Sequence, residues 1–369
     1  MFTRALQIST IALGIIHTVN ASPTLRVGLT LDSPSIGIST TPEGRRFIVY
    51  ARFLDGSTGP QVVEWKHNST TPYPDVEWNS YRPGKDPTTH FVRVNAQRIG
   101  PDGALWVVDT GSPDYGIPVL LPGGPKLVQV DLDTNKVARV YPMANVSQPN
   151  SFLDDVRFHS ATGKAYLTDA GAPGLIVLDL ESGVAQRMLE DGTSTRGYMP
   201  ISAEGTLVHG PGGMLEYIYA DQLEVSPDGR WLYYQPCSGG MSRIETSHLD
   251  KAFYNSSMRF NMGQYVQPYA HTASTGGTAI DADGNIYISD TDRLAIQWIA
   301  PNGTVSTLLQ DPRLIWIDAM WIDTHGILWM PSAQLSRGIP FNNGVNGISK
   351  PVHIYTIDIG KEPPVIDHH

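Results

Sequence analysis

Six aspartates in this chain stand where they could do chemistry, and they form two sets. Asp109, Asp169 and Asp290 each close a run of alternating apolar residues. Asp154, Asp221 and Asp318 each stand near the start of such a run, in contexts that differ from one another. Identity repeated at one repeat position points to a repeated structural job, here the acceptance of backbone N–H bonds from the turn that follows. The second set points toward a central channel and leaves two readings open. They are oxygen ligands for water or a hard cation such as Ca²⁺, or acids whose pKa rises in a partly dry pocket.

Aromatic and amide residues gather around the second set. Gln222 follows Asp221, Trp316 stands two residues before Asp318, and Tyr115 and Phe341 fall in loops. The loop at 331–347, PSAQLSRGIPFNNGVNG, offers Gln334, Arg337 and Asn342 as donors to a carbonyl or an oxyanion. Many aromatic and proline residues with only 17% charged residues suggest an apolar organic ligand.

Other chemistries lack their signatures. There is no G-x-S-x-G elbow, no H-E-x-x-H, no G-x-G-x-x-G and no P-loop. The single cysteine, Cys237, excludes an intrachain disulfide and a cysteine-based metal site, and reads as a small buried apolar residue. No metal and no cofactor is implied. A net charge of −10 without a basic run argues against phosphate-backbone binding.

The elements that must position these residues repeat. A strand–turn–strand unit occurs six times, at 35–53, 94–110, 152–170, 220–236, 277–291 and 317–332. Its turn glycines are Gly44, Gly103, Gly163, Gly229, Gly284 and Gly326, at successive gaps of 59, 60, 66, 55 and 42 residues by subtraction. A four-stranded blade takes about 40–50 residues, so each gap holds one blade and its insertions. Outer hairpins are legible at 126–141, 174–189 and 295–309. A strand at 353–359 pairs with 25–31 and closes the ring without a free edge. The expectation is all-β: a single-domain six-bladed β-propeller over 22–369, with no capped helical stretch.

Four segments exceed the blades: 56–90, 111–125, 191–219 and 332–351. The last three connect at the face that holds the starts of first strands and the ends of second strands, which makes it the expected ligand face. Residues 1–21 read as a signal peptide, with Arg4 ahead of an apolar stretch and a small-residue cleavage site at Ala21. Sequons at Asn68, Asn145, Asn255 and Asn302 agree with glycosylation on a secretory route, and no membrane span is expected after cleavage.

The stretches SFLDDVRF, AYLTDAGAPGLIVLDLESG, DQLEVSPDGRWLYY, GTAIDADGNIYISD and WIDAMWID…GILWMP resemble the Yellow/major royal jelly protein family in its fungal branch. The likeness covers nearly the whole mature chain. It implies a secreted, often glycosylated six-bladed propeller; several members bind small apolar or amine ligands in the central cavity. Within that branch the chain is similar to hetero-Diels–Alderases that join a tropolone quinone methide to a humulene-type sesquiterpene alkene. Such a cycloaddition needs no metal, nucleophile or cofactor; it needs a shaped apolar pocket, a donor and an acid–base group. On this reading Asp221 or Asp318 is the acid–base group and Arg337, with Gln334 and Asn342, the donor. Tyr115, Trp316 and Phe341 are walls, and Gln222 touches substrate. Two other classes stay open. One is a non-catalytic secreted binder of a small apolar ligand. The other is a metal-dependent lactonase, although Ser35-Ile36 puts no carboxylate at the first-blade position that such an enzyme needs.

Overall fold

The computed structural model describes residues 23–368; the signal-peptide reading of residues 1–21 lies outside them. Six four-stranded antiparallel sheets ring an axis as a six-bladed β-propeller. Five blades are continuous in sequence. The sixth takes three strands from the C-terminal part, Trp321–Ile322, Ile327–Pro331 and Val352–Asp358, and its outer strand, Arg26–Leu31, from the N-terminus. That pairing leaves no open edge in the ring.

All six predicted turn glycines have positive φ, from 64° to 89°. These are backbone conformations that side chains with a Cβ rarely adopt, so glycine fixes each inner hairpin at its turn. Alternation then buries both faces of the strands between blades. Leu105–Asp109 and Lys164–Asp169 are buried along their whole length. Each buried Val, Leu or Ile contributes about 1.5–3 kcal/mol relative to exposure.

The inner strands of the first four blades share one irregularity. The pairing of first and second strands slips at Ile36, at Asn95, at Asp154–Asp155 and at Asp221–Gln222. A bulge re-aims the side chain it carries. Repeated at the same place in successive blades, it sets a ring of residues around the channel mouth.

Helices appear where none were expected. Thr246–Tyr254 and Ser256–Phe260 fill the connection between the third and fourth strands of blade 4. Leu249, Ala252 and Phe253, at helical spacing, bury against the blade. The first helix is short and has no side-chain N-cap, so its sequence signal is weak. The second is capped by Asn255, whose side chain accepts from the Met258 N–H at 3.0 Å. All four sequon asparagines are exposed. No helix among the described residues is long and apolar enough to cross a membrane.

Candidate functional site

A cavity of about 800 Å³ occupies the channel at the loop face. Its floor is the bulge ring: Ile36, Asn95, Asp154 and Asp221, continued by Gly276 and Asp318 from the last two blades. Its upper wall comes from the three long loops expected there. Tyr115 and Ile117 come from 111–125, Met214, Glu216 and Tyr217 from 191–219, and Leu335 and Phe341 from 332–351.

The two aspartate sets separate in space as they do in sequence. Asp109 accepts the backbone N–H groups of Val92, Arg93 and Gly111. Asp169 accepts those of Phe152, Gly171 and Ala172, and Asp290 those of Asp292 and Arg293. These three hold loops to their blades. Asp221 and Asp318 line the cavity instead, and neither has a cationic partner among the described residues. Burial pushes the Asp221 carboxyl up to about 8, against a hydrogen bond from Gln222 Nε2 at 2.7 Å. Burial also raises Asp318 well above the usual carboxylate range. The Ala319 N–H at 2.9 Å opposes the rise, and the charge of Asp221 adds to it. The Trp316 N–H lies near enough to Asp318 to temper that rise without meeting hydrogen-bond geometry. The Asp221 carboxyl is therefore poised to be protonated near neutral pH, and Asp318 is biased in the same direction.

Of the residues singled out from sequence, Asp221, Asp318, Tyr115, Trp316 and Phe341 meet in this cavity. Tyr115 stacks edge-on against Phe341 with centroids 4.8 Å apart. The other four lie elsewhere. Gln222 is buried beside the cavity rather than in its lining; it bonds Asp221 and the Thr275 carbonyl, so it positions the acid. Gln334 exchanges two hydrogen bonds with the Ser349 backbone, both 2.9 Å, and pins its own loop. Arg337 pairs with Glu204, Nε to Oε2 at 3.1 Å, and lines a separate polar pocket with Asn342 and His209. Asn342 donates to the Val345 carbonyl. The donors expected from the 331–347 loop thus face away from the acids. All three find partners within the 332–351 segment or the 191–219 segment, and none lines the large cavity.

The donor that does face the cavity is Arg93, which sequence reasoning passed over. It is 5% exposed, and the rings of Phe53, Tyr115 and Phe152 surround its guanidinium at 4.8–5.9 Å. Its position is fixed by Asp109, which accepts its backbone N–H at 2.9 Å. The one available signal was an arginine set alone in an apolar run, Phe91-Val92-Arg93-Val94.

Cys237 is fully buried and its thiol donates to the Thr275 carbonyl at 2.8 Å. Burial, with Asp221 nearby, raises its pKa well above the usual value, so it is a poor nucleophile. Asn95, Asp154, Asp221 and Asp318 surround the axis with oxygens. Yet among the described residues no three His, Cys, Asp or Glu side chains converge closely enough to hold a metal ion. The first blade contributes Ile36, and no carboxylate, to this ring.

The far mouth of the channel is plugged. The tail residues Ile366, Asp367 and His368 turn inward on the hairpin-turn face and are buried. The fold and site thus define a six-bladed propeller with a one-ended central cavity. A family model described as "Major royal jelly protein" matches residues 94–354. The chain belongs to the major royal jelly protein family. No curated protein matches it. Among solved structures it is similar to a luciferin-regenerating enzyme, with 13% identity, 92% of this chain and 97% of that one covered, and a TM-score of 0.55. It is also similar to a gluconolactonase from Xanthomonas campestris, at 12% identity, 91% and 89% coverage and a TM-score of 0.54. Regucalcin, a calcium-binding protein from Agrobacterium tumefaciens, gives 12% identity, 91% and 95% coverage and a TM-score of 0.55. At such identities the likeness establishes the fold.

Proposed function

We propose that the protein is a cofactor-independent pericyclase of secondary metabolism, acting in the secretory pathway or after secretion. It joins a tropolone quinone methide to a humulene-type sesquiterpene alkene by an intermolecular hetero-Diels–Alder cycloaddition. The observation that carries this reading is the pairing, in one apolar cavity, of two half-buried carboxyls held toward their protonated state with walls of Tyr115, Trp316 and Phe341. That propellers of this shape include a luciferin-regenerating enzyme and a gluconolactonase supports a catalytic use of the fold.

The chemistry has two steps. Asp221 or Asp318 gives its proton to the leaving hydroxyl of a hydroxymethyl-type tropolone precursor; the C–O bond breaks and water departs. The ring O–H proton returns to the carboxylate, so the net change is loss of one water. The heterodiene then adds across the alkene, forming one C–O and one C–C bond with no further proton transfer. The cavity's size suits two reactants, and holding them near attack distance can supply on the order of 7–11 kcal/mol of the barrier at best. The low polarity of the walls keeps water from the quinone methide.

The test is to incubate the purified protein with a tropolone quinone-methide precursor and humulenol, and to resolve the products by chiral chromatography. Faster product formation with a single stereoisomer is expected. The uncatalysed rate and isomer mixture would overturn the proposal and leave a non-catalytic binder.

A further inference from the structure

Arg93 is the one arginine lining the cavity, and among the described residues it forms no ion pair. Among the described residues its side chain makes a single hydrogen bond, Nε to Thr110 Oγ1 at 3.4 Å. Nη1 is sealed from solvent without an acceptor among the described residues. Asp114 and Asp109 are near enough to favour the charge, but Asp114 is exposed to solvent and forms no ion pair with it among the described residues, and Asp109 is committed to Lys126 Nζ at 2.6 Å and to loop N–H groups. Burial lowers the guanidinium to about 10, which leaves it cationic at neutral pH.

Every other deeply buried arginine of the channel is matched. Arg157 meets Glu224 and Asp155, and Arg98 meets Asp367. A buried, uncompensated cation is costly and is tolerated where something else completes it. The three rings around Arg93 define what can do so. Phe53 and Tyr115 stand nearly parallel, 9° apart, and Phe152 closes the third side. With the guanidinium itself caged by these rings, a ligand reaches it from the open cavity side, presenting an oxygen to Nη while its flat conjugated ring packs against the cavity faces of the aromatics.

We propose that Arg93 anchors an anionic oxygen on a planar conjugated substrate, so that the ring reactant is bound as its enolate-type monoanion. The assignment rests on the cycloaddition reading for the choice of ring. In that frame the bound anion, rather than the neutral ring, loses hydroxide-derived oxygen as water with the proton from Asp221 or Asp318. The oxygen held by Arg93 becomes the heterodiene carbonyl, and the carboxylate left behind is reprotonated from solvent, which took up the ring proton on binding. The same guanidinium then faces the oxygen on which charge develops during cycloaddition.

The test is binding, measured by titration calorimetry on the purified protein with tropolone and with its neutral methyl ether, 2-methoxytropone. The anion should bind about 10–100-fold tighter than the ether, and Arg93→Met should remove that preference while leaving the ether's affinity within about threefold. Arg93→Lys should keep part of it, because the charge stays and the planar fork is lost. Equal affinity of the two ligands, absence of tropolone binding, or a preference that survives Arg93→Met would overturn the proposal. Should Arg93→Met fail to fold, the wild-type preference decides by itself. Because binding is read without turnover, failure here is distinguishable from failure of the cycloaddition, which product analysis reads.

Discussion

The same six inner strands build both mouths of the channel, yet the two ends handle buried charge in opposite ways. At the turn face, Asp367 of the tail receives Arg98 Nε at 2.7 Å and the Phe158 N–H at 2.6 Å. Burial pushes the Asp367 carboxyl up, but Arg98, His368 and Arg157 outweigh it and hold it below the usual range. Burial and the neighbouring Arg98 push His368 down to about 4, so it sits neutral, its ring 4.3 Å from that of Trp321. Arg157 is bidentate to Glu224 at 2.8 and 2.9 Å. Nearly every charge there has its complement. At the loop face Arg93 is buried and Asp221 and Asp318 are half-buried in the cavity wall, and none of the three forms an ion pair among the described residues. Matched charge makes a seal, and unmatched charge makes a site that a ligand completes.

Breaking the seal should have the largest effect. Asp367→Ala leaves Arg98 Nε and the Phe158 N–H buried without acceptors. The expected loss is about 3–5 kcal/mol of unfolding free energy, read by chemical denaturation. A loss under about 1 kcal/mol would show the tail to be an ornament on a ring that closes without it.

The opposite sign is expected at the other mouth. Asp221→Asn keeps the shape and the Gln222 contact but removes the proton donor, so turnover should fall about 100-fold. Stability should rise. An acid with a raised folded-state pKa keeps its proton while the unfolded chain loses it, so this group erodes stability as pH climbs from about 4 toward 8. The asparagine variant has no such slope, and at pH 7 it should unfold no earlier than wild type in a thermal melt. The pH–rate profile offers a smaller and finer check. Wild-type turnover should decline as pH passes about 8, where Asp221 gives up its proton, and the residual activity of Asp221→Asn should lack that limb. A variant that melts earlier, or a profile flat through pH 9, would place Asp221 with the structural aspartates.

How much of this contrast sequence could foresee follows from what a period-two pattern encodes. The hairpins, their turn glycines and the closing pair of terminal strands were legible because alternation and positive-φ turns are local. The structural duty of Asp109, Asp169 and Asp290 was legible because it repeats. The bulges were not: a one-residue slip is invisible in a run such as ADQLEV, yet it decides that Asp221 faces the cavity and Gln222 its neighbour. Arg93 was missed because its meaning lies in an absent partner, and partners come from other blades. The 331–347 loop misled for the converse reason. A coil has no period to fix where side chains point, and Arg337 found Glu204, 133 residues away.

Arg337 therefore supplies the smallest and most discriminating expectation. It was the natural oxyanion donor on sequence grounds, and it is the same residue type as Arg93, on a loop that also lines the cavity. Its guanidinium, however, is satisfied by an exposed carboxylate outside the chamber. Exposed pairs of this kind contribute about 0–1 kcal/mol. Arg337→Ala should change turnover by less than about threefold and leave the preference for anionic tropolone intact. Phe341, four residues on, lines both the chamber and the side pocket, so a slight loosening of KM is the most that loop adjustment should produce. A large fall in kcat for Arg337→Ala would mean that the loop swings inward with substrate bound. The matched and unmatched charges would then exchange roles during the reaction, and the contrast between the two mouths would describe the resting state alone.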